Sequence, residues 1–359
     1  MKYILPMAVI LLSGCSLFQR QPENTGQEQA QERAQLVNAE KALAAGSFDQ
    51  SVILFKEFQG LHPQSQYLQA SRLGEAQSFA GQGKWQEALD LYRDISVKTR
   101  VYQPEIAALA LYRMSFAYEA LGDDLKTVAS LLDAKTLGQY LPLETALAEI
   151  PARLAIVYGR QDREREAIAY LNEAERGIEK VQAEKGTELP QDWLVKTYVQ
   201  MGGVSTNQLS AGSFAAFVRG QKLVQVYLLR ALRLGDGVWS KRALTTLLET
   251  YRDLYTQVEA QREARHLQSS FGAELLGLIE RAELYKPLSG QNMNSYETEF
   301  FAYLLEVRKK TELLIYNAGE TMGLTEESQR LHSLKRAGRV KEITIPLPPK
   351  VVPSEDPNL

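Results

Sequence analysis

Cys15 is the only cysteine in this chain of 359 residues, and it follows a short apolar run at the N-terminus. A thiolate is the soft nucleophile that forms thioethers, so Cys15 is the side chain best suited to covalent chemistry. The three histidines, His62, His266 and His332, stand far apart and have no neighbouring pattern of Cys or carboxylate ligands. We therefore expect no metal site and no catalytic base at any of them.

The motifs of common catalytic sites are missing from the sequence. There is no Gly-x-Ser-x-Gly elbow, no phosphate-binding loop and no Gly-x-Gly-x-x-Gly after a strand. Glu327-Ser328 resembles the pair that opens the catalytic domain of soluble lytic transglycosylases, but too few residues follow it to form that domain. A formal net charge of −3 also excludes the basic balance of a nucleic-acid-binding protein. We expect no enzyme, no cofactor, no metal and no nucleic-acid partner.

The first residues have the organisation of an export signal. After one lysine comes an apolar stretch over residues 3–12, about half the roughly 20 residues that span a bilayer. It ends in Leu12-Ser13-Gly14-Cys15, which resembles the lipobox of bacterial lipoproteins at all four positions. The resemblance implies that residues 1–14 are a signal peptide, that cleavage falls between Gly14 and Cys15, and that Cys15 carries the acyl chains, palmitate among them.

The same resemblance predicts the location. Ser16 follows the lipidated cysteine, and a residue other than Asp there implies sorting to the outer membrane, on its periplasmic face. Two or three acyl chains anchor a protein stably, whereas one alone binds only marginally. The Gln- and Glu-rich stretch that follows lacks apolar periodicity, so residues 15–31 are predicted to form a flexible tether.

From residue 32 the sequence repeats with a period of roughly 40 residues, which indicates stacked helix-turn-helix units. A Gly or Asp marks each turn, and in the first two units an aromatic residue follows two positions later. A small residue follows five positions after the turn residue, and apolar residues follow nine and twelve positions after it. The small residue lets two helices approach closely, and the large ones fill the groove to the next unit. The residues that carry the pattern are Gly46, Phe48, Ser51, Phe55 and Phe58; Gly83, Trp85, Ala88, Tyr92 and Ile95; Tyr118, Gly122, Thr127, Leu131 and Ala134; and Tyr158, Asp162, Ala167, Leu171 and Ala174.

The segment from Gly83 to Tyr92 resembles a tetratricopeptide repeat, and the likeness extends over about residues 32–180. It implies an all-α, TPR-like helical solenoid of antiparallel helix pairs. Gly186 and Pro190 interrupt the pattern, and further helical repeats are predicted over residues 190–337. The basic, Pro-rich tail over residues 338–359 contains prolines that forbid a helix.

Taken together, the anchor and the repeats resemble the TPR lipoprotein of the outer-membrane β-barrel assembly machine. The resemblance implies a scaffold that binds other envelope proteins in an assembly, secretion, pilus or motility complex. A regulator of peptidoglycan synthesis or a glycan-binding protein is the alternative. Arg72, Tyr112, Arg113 and Arg153 lie on the first helices of their pairs, and we predict that they line the groove for the partner.

The anchor can be tested directly. Cys15→Ala removes the thiol that would form the thioether, so we expect acyl labelling to vanish and the protein to leave the membrane fraction. Metabolic labelling with a fatty-acid analogue and fractionation of cells would measure both effects. An unchanged amount of the variant in the membrane fraction would show that something other than Cys15 holds the chain there.

Overall fold

A computed structural model describes residues 25–204, 214–235, 237–287 and 292–318. Over these residues the chain forms thirteen α-helices and no strand, which confirms the predicted all-α, TPR-like fold. The helices are α1 (Thr25–Ala44), α2 (Phe48–Leu61), α3 (Leu68–Gly81), α4 (Trp85–Thr99), α5 (Pro104–Ala120), α6 (Asp124–Thr136), α7 (Ile150–Arg160), α8 (Glu164–Lys185), α9 (Gln191–Gly202), α10 (Phe214–Leu234), α11 (Val238–Ala260), α12 (Arg265–Glu283) and α13 (Ser295–Asn317).

The helices divide into two compact units, unit 1 ending at Thr99 and unit 2 beginning at Arg100. We call the odd-numbered helices first helices and the even-numbered ones second helices. In unit 1, α1 packs on α2 and α3, and α3 packs on α4. In unit 2, each first helix from α7 onward contacts the next first helix, and α10 contacts α12. The same stacking therefore continues beyond residue 190.

Each of the first four pairs reverses direction at one residue with left-handed backbone geometry. The φ angles are 73° at Gly46, 75° at Gly83, 74° at Gly122 and 55° at Asp162. At the first turn the Gly46 N–H donates to Leu43 O at 3.0 Å, and the next N–H donates to Ala42 O at 2.9 Å. The same two bonds recur at the other three turns. This is a Schellman motif, which ends a helix when one residue accepts a positive φ.

The repeat signature marks the buried face of each second helix. The residues five, nine and twelve positions after each turn residue are almost completely removed from solvent. These residues are Ser51, Phe55 and Phe58 in α2; Ala88, Tyr92 and Ile95 in α4; Thr127, Leu131 and Ala134 in α6; and Ala167, Leu171 and Ala174 in α8.

Two aromatic side chains of α2 fill the groove to the next pair. A Cβ atom built on Gly74 of α3 would lie 2.2 Å from the Phe55 ring, and one on Gly81 would lie 2.4 Å from the Phe48 ring. Both distances are far below van der Waals contact, so α3 can approach α2 this closely only with glycine at these positions.

The structure corrects two boundaries. The predicted tether over residues 15–31 is helical from Thr25, where α1 begins. This part of the chain consists largely of strong helix formers such as Gln, Glu and Ala. The likeness to tetratricopeptide repeats is predicted to extend to about residue 180, but α8 continues to Lys185. The predicted interruption at Gly186 and Pro190 is the connection between α8 and α9 within unit 2, since α7 contacts α9 across it.

Several predictions fall on residues outside the described ranges. They are the signal peptide over residues 1–14, the lipidation site at Cys15, and the tail over residues 338–359. The end of the predicted helical repeats, over residues 319–337, also lies outside them. Within the described residues, no helix combines the length and the apolar character needed to cross a bilayer.

Three alanine substitutions in unit 1 distinguish glycines needed for a positive φ, for close helix packing, and for neither. Gly83→Ala should lower the free energy of unfolding by about 1 kcal/mol, because φ is positive there although a methyl group would meet no atom. Gly74→Ala should cost about 1–3 kcal/mol through the clash with Phe55. Gly60→Ala, at an exposed site inside α2, should stabilise by about 0.5–1 kcal/mol.

Urea unfolding followed by circular dichroism would rank the three variants. If Gly83→Ala stabilises the chain as Gly60→Ala does, the left-handed turn is not the constraint that we assign to it.

Candidate functional site

Arg153 is the centre of a polar network on the first helices of unit 2. Its side chain on α7 is only 4% exposed, and it donates to the Glu119 carboxylate of α5 at 2.7 Å. A second donor reaches Ser115 Oγ at 2.5 Å. The guanidinium carbon lies 3.5 Å from the centre of the Phe116 ring, a cation–π contact. The buried guanidinium of Arg153 therefore finds its ionic, hydrogen-bonding and aromatic partners inside unit 2.

Glu119 is shared between two arginines. Its other oxygen accepts from Arg160 at 3.0 Å, and Arg160 also donates to Asp124 at 2.7 Å. Burial alone would raise the pKa of the Glu119 carboxyl, but the charges and hydrogen bonds of Arg153 and Arg160 outweigh it. The net pKa of Glu119 is therefore below its ordinary value of 4.5, and the carboxyl is ionised at neutral pH.

Glu149 forms the second centre of the network, on a π-helical turn over Thr145–Glu149 just before α7. Its carboxylate accepts from the Tyr112 hydroxyl of α5 and from the Trp193 indole N–H of α9 at 2.7 Å. Burial of Tyr112, followed by the nearby negative charge of Glu149, raises the pKa of Tyr112. Glu149 therefore ties three consecutive first helices together.

The π-helical turn needs a close approach by α8. A Cβ atom on Gly177 would lie 1.8 Å from the carbonyl oxygen of Leu147, so no other residue fits there without moving the backbone. A π turn contains one residue more than an α-helical turn and re-aims the side chains that follow it. Glu149 reaches both Tyr112 and Trp193 from this turn.

The solvent side of these helices carries aromatic rings and cations. Arg113 is exposed, with its guanidinium carbon 6.0 Å from the centres of both the Tyr112 and the Phe116 rings. Farther along, Trp193 and Lys196 of α9 and Trp239 of α11 are half-buried. We call the solvent side of α5, α7, α9 and α11 the first-helix face.

The four predicted groove residues divide into two groups. Tyr112 and Arg153 are buried and bonded within unit 2, which corrects the expectation that they face a partner. Arg72 is partly exposed in unit 1, where it pairs with Asp94 at 2.7 Å. Arg113 reaches solvent on the first-helix face. A role in partner binding stays a prediction for Arg72 and Arg113.

Sequence reasoning missed Glu119, Glu149 and Trp193. The two glutamates stand more than thirty positions from most of their partners, so no local pattern identifies them. Trp193 could have been noticed as one of only three tryptophans in the chain.

The described histidines, His62 and His266, do not form a site together. His62 shares a hydrogen bond of 2.7 Å with Gln35, and His266 is exposed on α12. His332 lies outside the described ranges. Where the structure describes the chain, no group of three His, Cys, Asp or Glu side chains is placed to hold a metal ion.

No protein-family model matches the chain, and no curated protein matches it by sequence. Among solved structures, the chain is similar to a protein described as a kinesin light chain of Podosopora anserina with nearly identical TPR-like repeats. That match has 16% identity and a TM-score of 0.39, and it covers 57% of this chain and 95% of the other.

The chain is also similar to the TPR2AB domain of yeast Sti1 in a complex with pHSP90. The identity is 17% and the TM-score 0.32, with 82% of this chain and 100% of the other covered. Superpositions of this quality carry no argument about partners.

The Arg153 network makes a stability prediction. Glu119→Gln would leave the buried Arg153 guanidinium without a carboxylate, so the free energy of unfolding should fall by about 2–3 kcal/mol at neutral pH. Because folding lowers the pKa of Glu119, its contribution is present above the unfolded-state pKa and is lost as pH falls through the folded-state pKa. The difference between wild type and variant should therefore shrink in acid, which urea titrations at several pH values would measure.

Glu166→Gln is the matched control, since Glu166 pairs with Arg163 on the surface of α8 and its loss should change stability little. Equal effects of the two substitutions would contradict the role given to the buried network.

Proposed function

We propose that this chain is a non-enzymatic scaffold whose first-helix face in unit 2 binds a segment of another protein. The observation that carries the proposal is the distribution of side chains on these helices. Buried residues hold each pair to the next, and a polar network fixes α5, α7 and α9, while cations and aromatic rings remain at the solvent side. Stacked helix pairs offer extended surfaces of this kind for recognition.

We further propose that the scaffold is anchored to the outer membrane through lipid on Cys15 and works at the periplasmic face. The lipobox resemblance at residues 12–15 supports this location. The partners would then be other envelope proteins in a membrane-associated complex. In such an arrangement the lipid supplies the location, and the helical units supply the specificity.

Site-specific photo-crosslinking would test the face. A photoreactive residue at position 113 of α5 should give discrete crosslinked products in intact cells, identified by mass spectrometry. The same residue at position 176 of the second helix α8, where Arg176 is also exposed, is the matched control and should give far fewer. Arg113→Glu should weaken co-purification of the crosslinked partner by about threefold or more, the effect expected for one exposed charge, and Arg176→Glu should not.

The outcomes separate the alternatives. Envelope-complex subunits crosslinked through position 113 support the proposal. A peptidoglycan synthase or sacculus fragments at that position would favour the cell-wall alternative. Equal yields at positions 113 and 176 would contradict a specific binding face on the first helices.

A further inference from the structure

The helix α9 presents one narrow stripe to solvent. Leu194, Val195, Thr197, Tyr198 and Val199 are all buried. After the exposed residues Gln191 and Asp192 at its start, the side chains that reach solvent are Trp193, Lys196 and Gln200, spaced three and four residues apart on one face. The hydrogen bond from the Trp193 indole to Glu149 fixes the orientation of that ring. The stripe is therefore preorganised by the packing around it.

The neighbouring helix α11 adds a second tryptophan with two cations around it. The Lys196 ammonium lies 6.0 Å from the centre of the Trp239 ring, and the Arg242 guanidinium carbon lies 5.7 Å from it. Lys241, on the same turn, is exposed like Arg242. We call Trp193, Lys196, Trp239, Lys241 and Arg242 the tryptophan strip.

The cations of the strip have no carboxylate partner among the described residues, unlike several arginines that bridge helices elsewhere in unit 2. Arg153, Arg230 and Arg308 each meet a carboxylate at 2.7 Å or less. Over the described ranges, Lys196, Lys241 and Arg242 form no ion pair with any carboxylate. The fold thus neutralises its structural cations internally and leaves these three at the surface beside aromatic rings.

We propose that the tryptophan strip binds an acidic segment of a partner protein, a proposal that rests on the proposed function. Carboxylates of the segment would pair with Lys196, Lys241 and Arg242, and apolar side chains between them would pack on the two indole rings. A planar guanidinium such as Arg242 also accepts a carboxylate in bidentate geometry. The strip lies on α9 and α11, beyond residues 32–180, to which the likeness to tetratricopeptide repeats extends.

Charge decides between an acidic peptide and nucleic acid. Proteins that bind nucleic acid through its phosphates commonly engage about 6–10 of them, and their binding domains are strongly basic. The strip has three unpaired cations, and the chain as a whole has a net charge of −3. A short acidic peptide matches that number of charges, whereas a polynucleotide would meet repulsion from the rest of the surface.

Fluorescence anisotropy with the purified full chain would test the proposal. The probe is a labelled synthetic peptide of Asp, Glu and Leu, compared with a Lys and Leu peptide of equal length and a single-stranded oligonucleotide. We expect saturable binding of the acidic peptide alone. Raising the salt concentration from about 0.1 M to about 1 M should abolish most of it, because the Debye length falls from about 10 Å to about 3 Å.

Charge reversal on the strip has a matched control in the same unit. Lys196→Glu with Arg242→Glu should weaken binding of the acidic peptide by about tenfold or more. Arg219→Glu with Arg281→Glu makes the same change of charge at exposed positions of the second helices α10 and α12, and it should leave the affinity within about twofold. Lys196→Gln with Arg242→Gln provides a milder pair, and circular dichroism confirms that each variant is folded.

Three results would overturn the proposal. They are no saturable binding of the acidic peptide at low salt, equal losses in the strip and control variants, and strip-dependent binding of the oligonucleotide instead. If crosslinking through position 113 still identifies a partner while the acidic peptide fails to bind, the scaffold function stands and the tryptophan strip is not its acidic site.

Discussion

The fold depends on one backbone constraint that recurs four times. A helix can turn back on itself within three residues only if one residue accepts a positive φ, and the chain places Gly46, Gly83, Gly122 and Asp162 at these points. Asp is tolerated at the fourth because its short polar side chain makes the left-handed conformation less costly than a bulky one would. Once the reversal is fixed, the small and large residues of the second helix face the first helix and are buried against it. Stacking then follows from burial, since no pair can cover its apolar face alone.

Unit 2 adds a second constraint, which is that its buried polar groups need hydrogen-bond or ion-pair partners. Arg153 is buried at a cost that its contacts with Glu119, Ser115 and Phe116 offset. Glu149 similarly joins α5 to α9 from a π-helical turn that would be hard to maintain without Gly177. These networks hold consecutive first helices in a defined register. The charges within them are paired inside the fold and cannot bind a partner. The charges that are paired inside the fold, Arg153 among them, are thus on different residues from the cations that remain at the surface of the same helices.

This separation leaves exposed cations on the first helices that the fold itself does not pair. The surface that remains on the first helices combines cations with aromatic rings, a combination that recognises both charge and apolar area. Arg113 is adjacent to Tyr112 on α5, and Lys196 is three residues from Trp193 on α9, so the Glu149 network that joins Tyr112 to Trp193 also sets the spacing between them. A partner segment would therefore meet a rigid surface and would lose less free energy to ordering the scaffold than it would on a mobile loop.

The helical class, the positions of the first four turns and the burial of the residues after them could be predicted from the sequence, because they depend on local conformational preference and on short-range periodicity. Gly83, Ala88 and Tyr92 could be placed from spacing alone. The burial of Tyr112 and Arg153, and the position of Trp239 beside Trp193 and Lys196, became visible only in the folded structure. Those relations join residues more than thirty positions apart across stacked helices. Whether a charged side chain faces a partner or the interior depends on which distant carboxylate the packing brings to it, and no local pattern in the sequence records that distance.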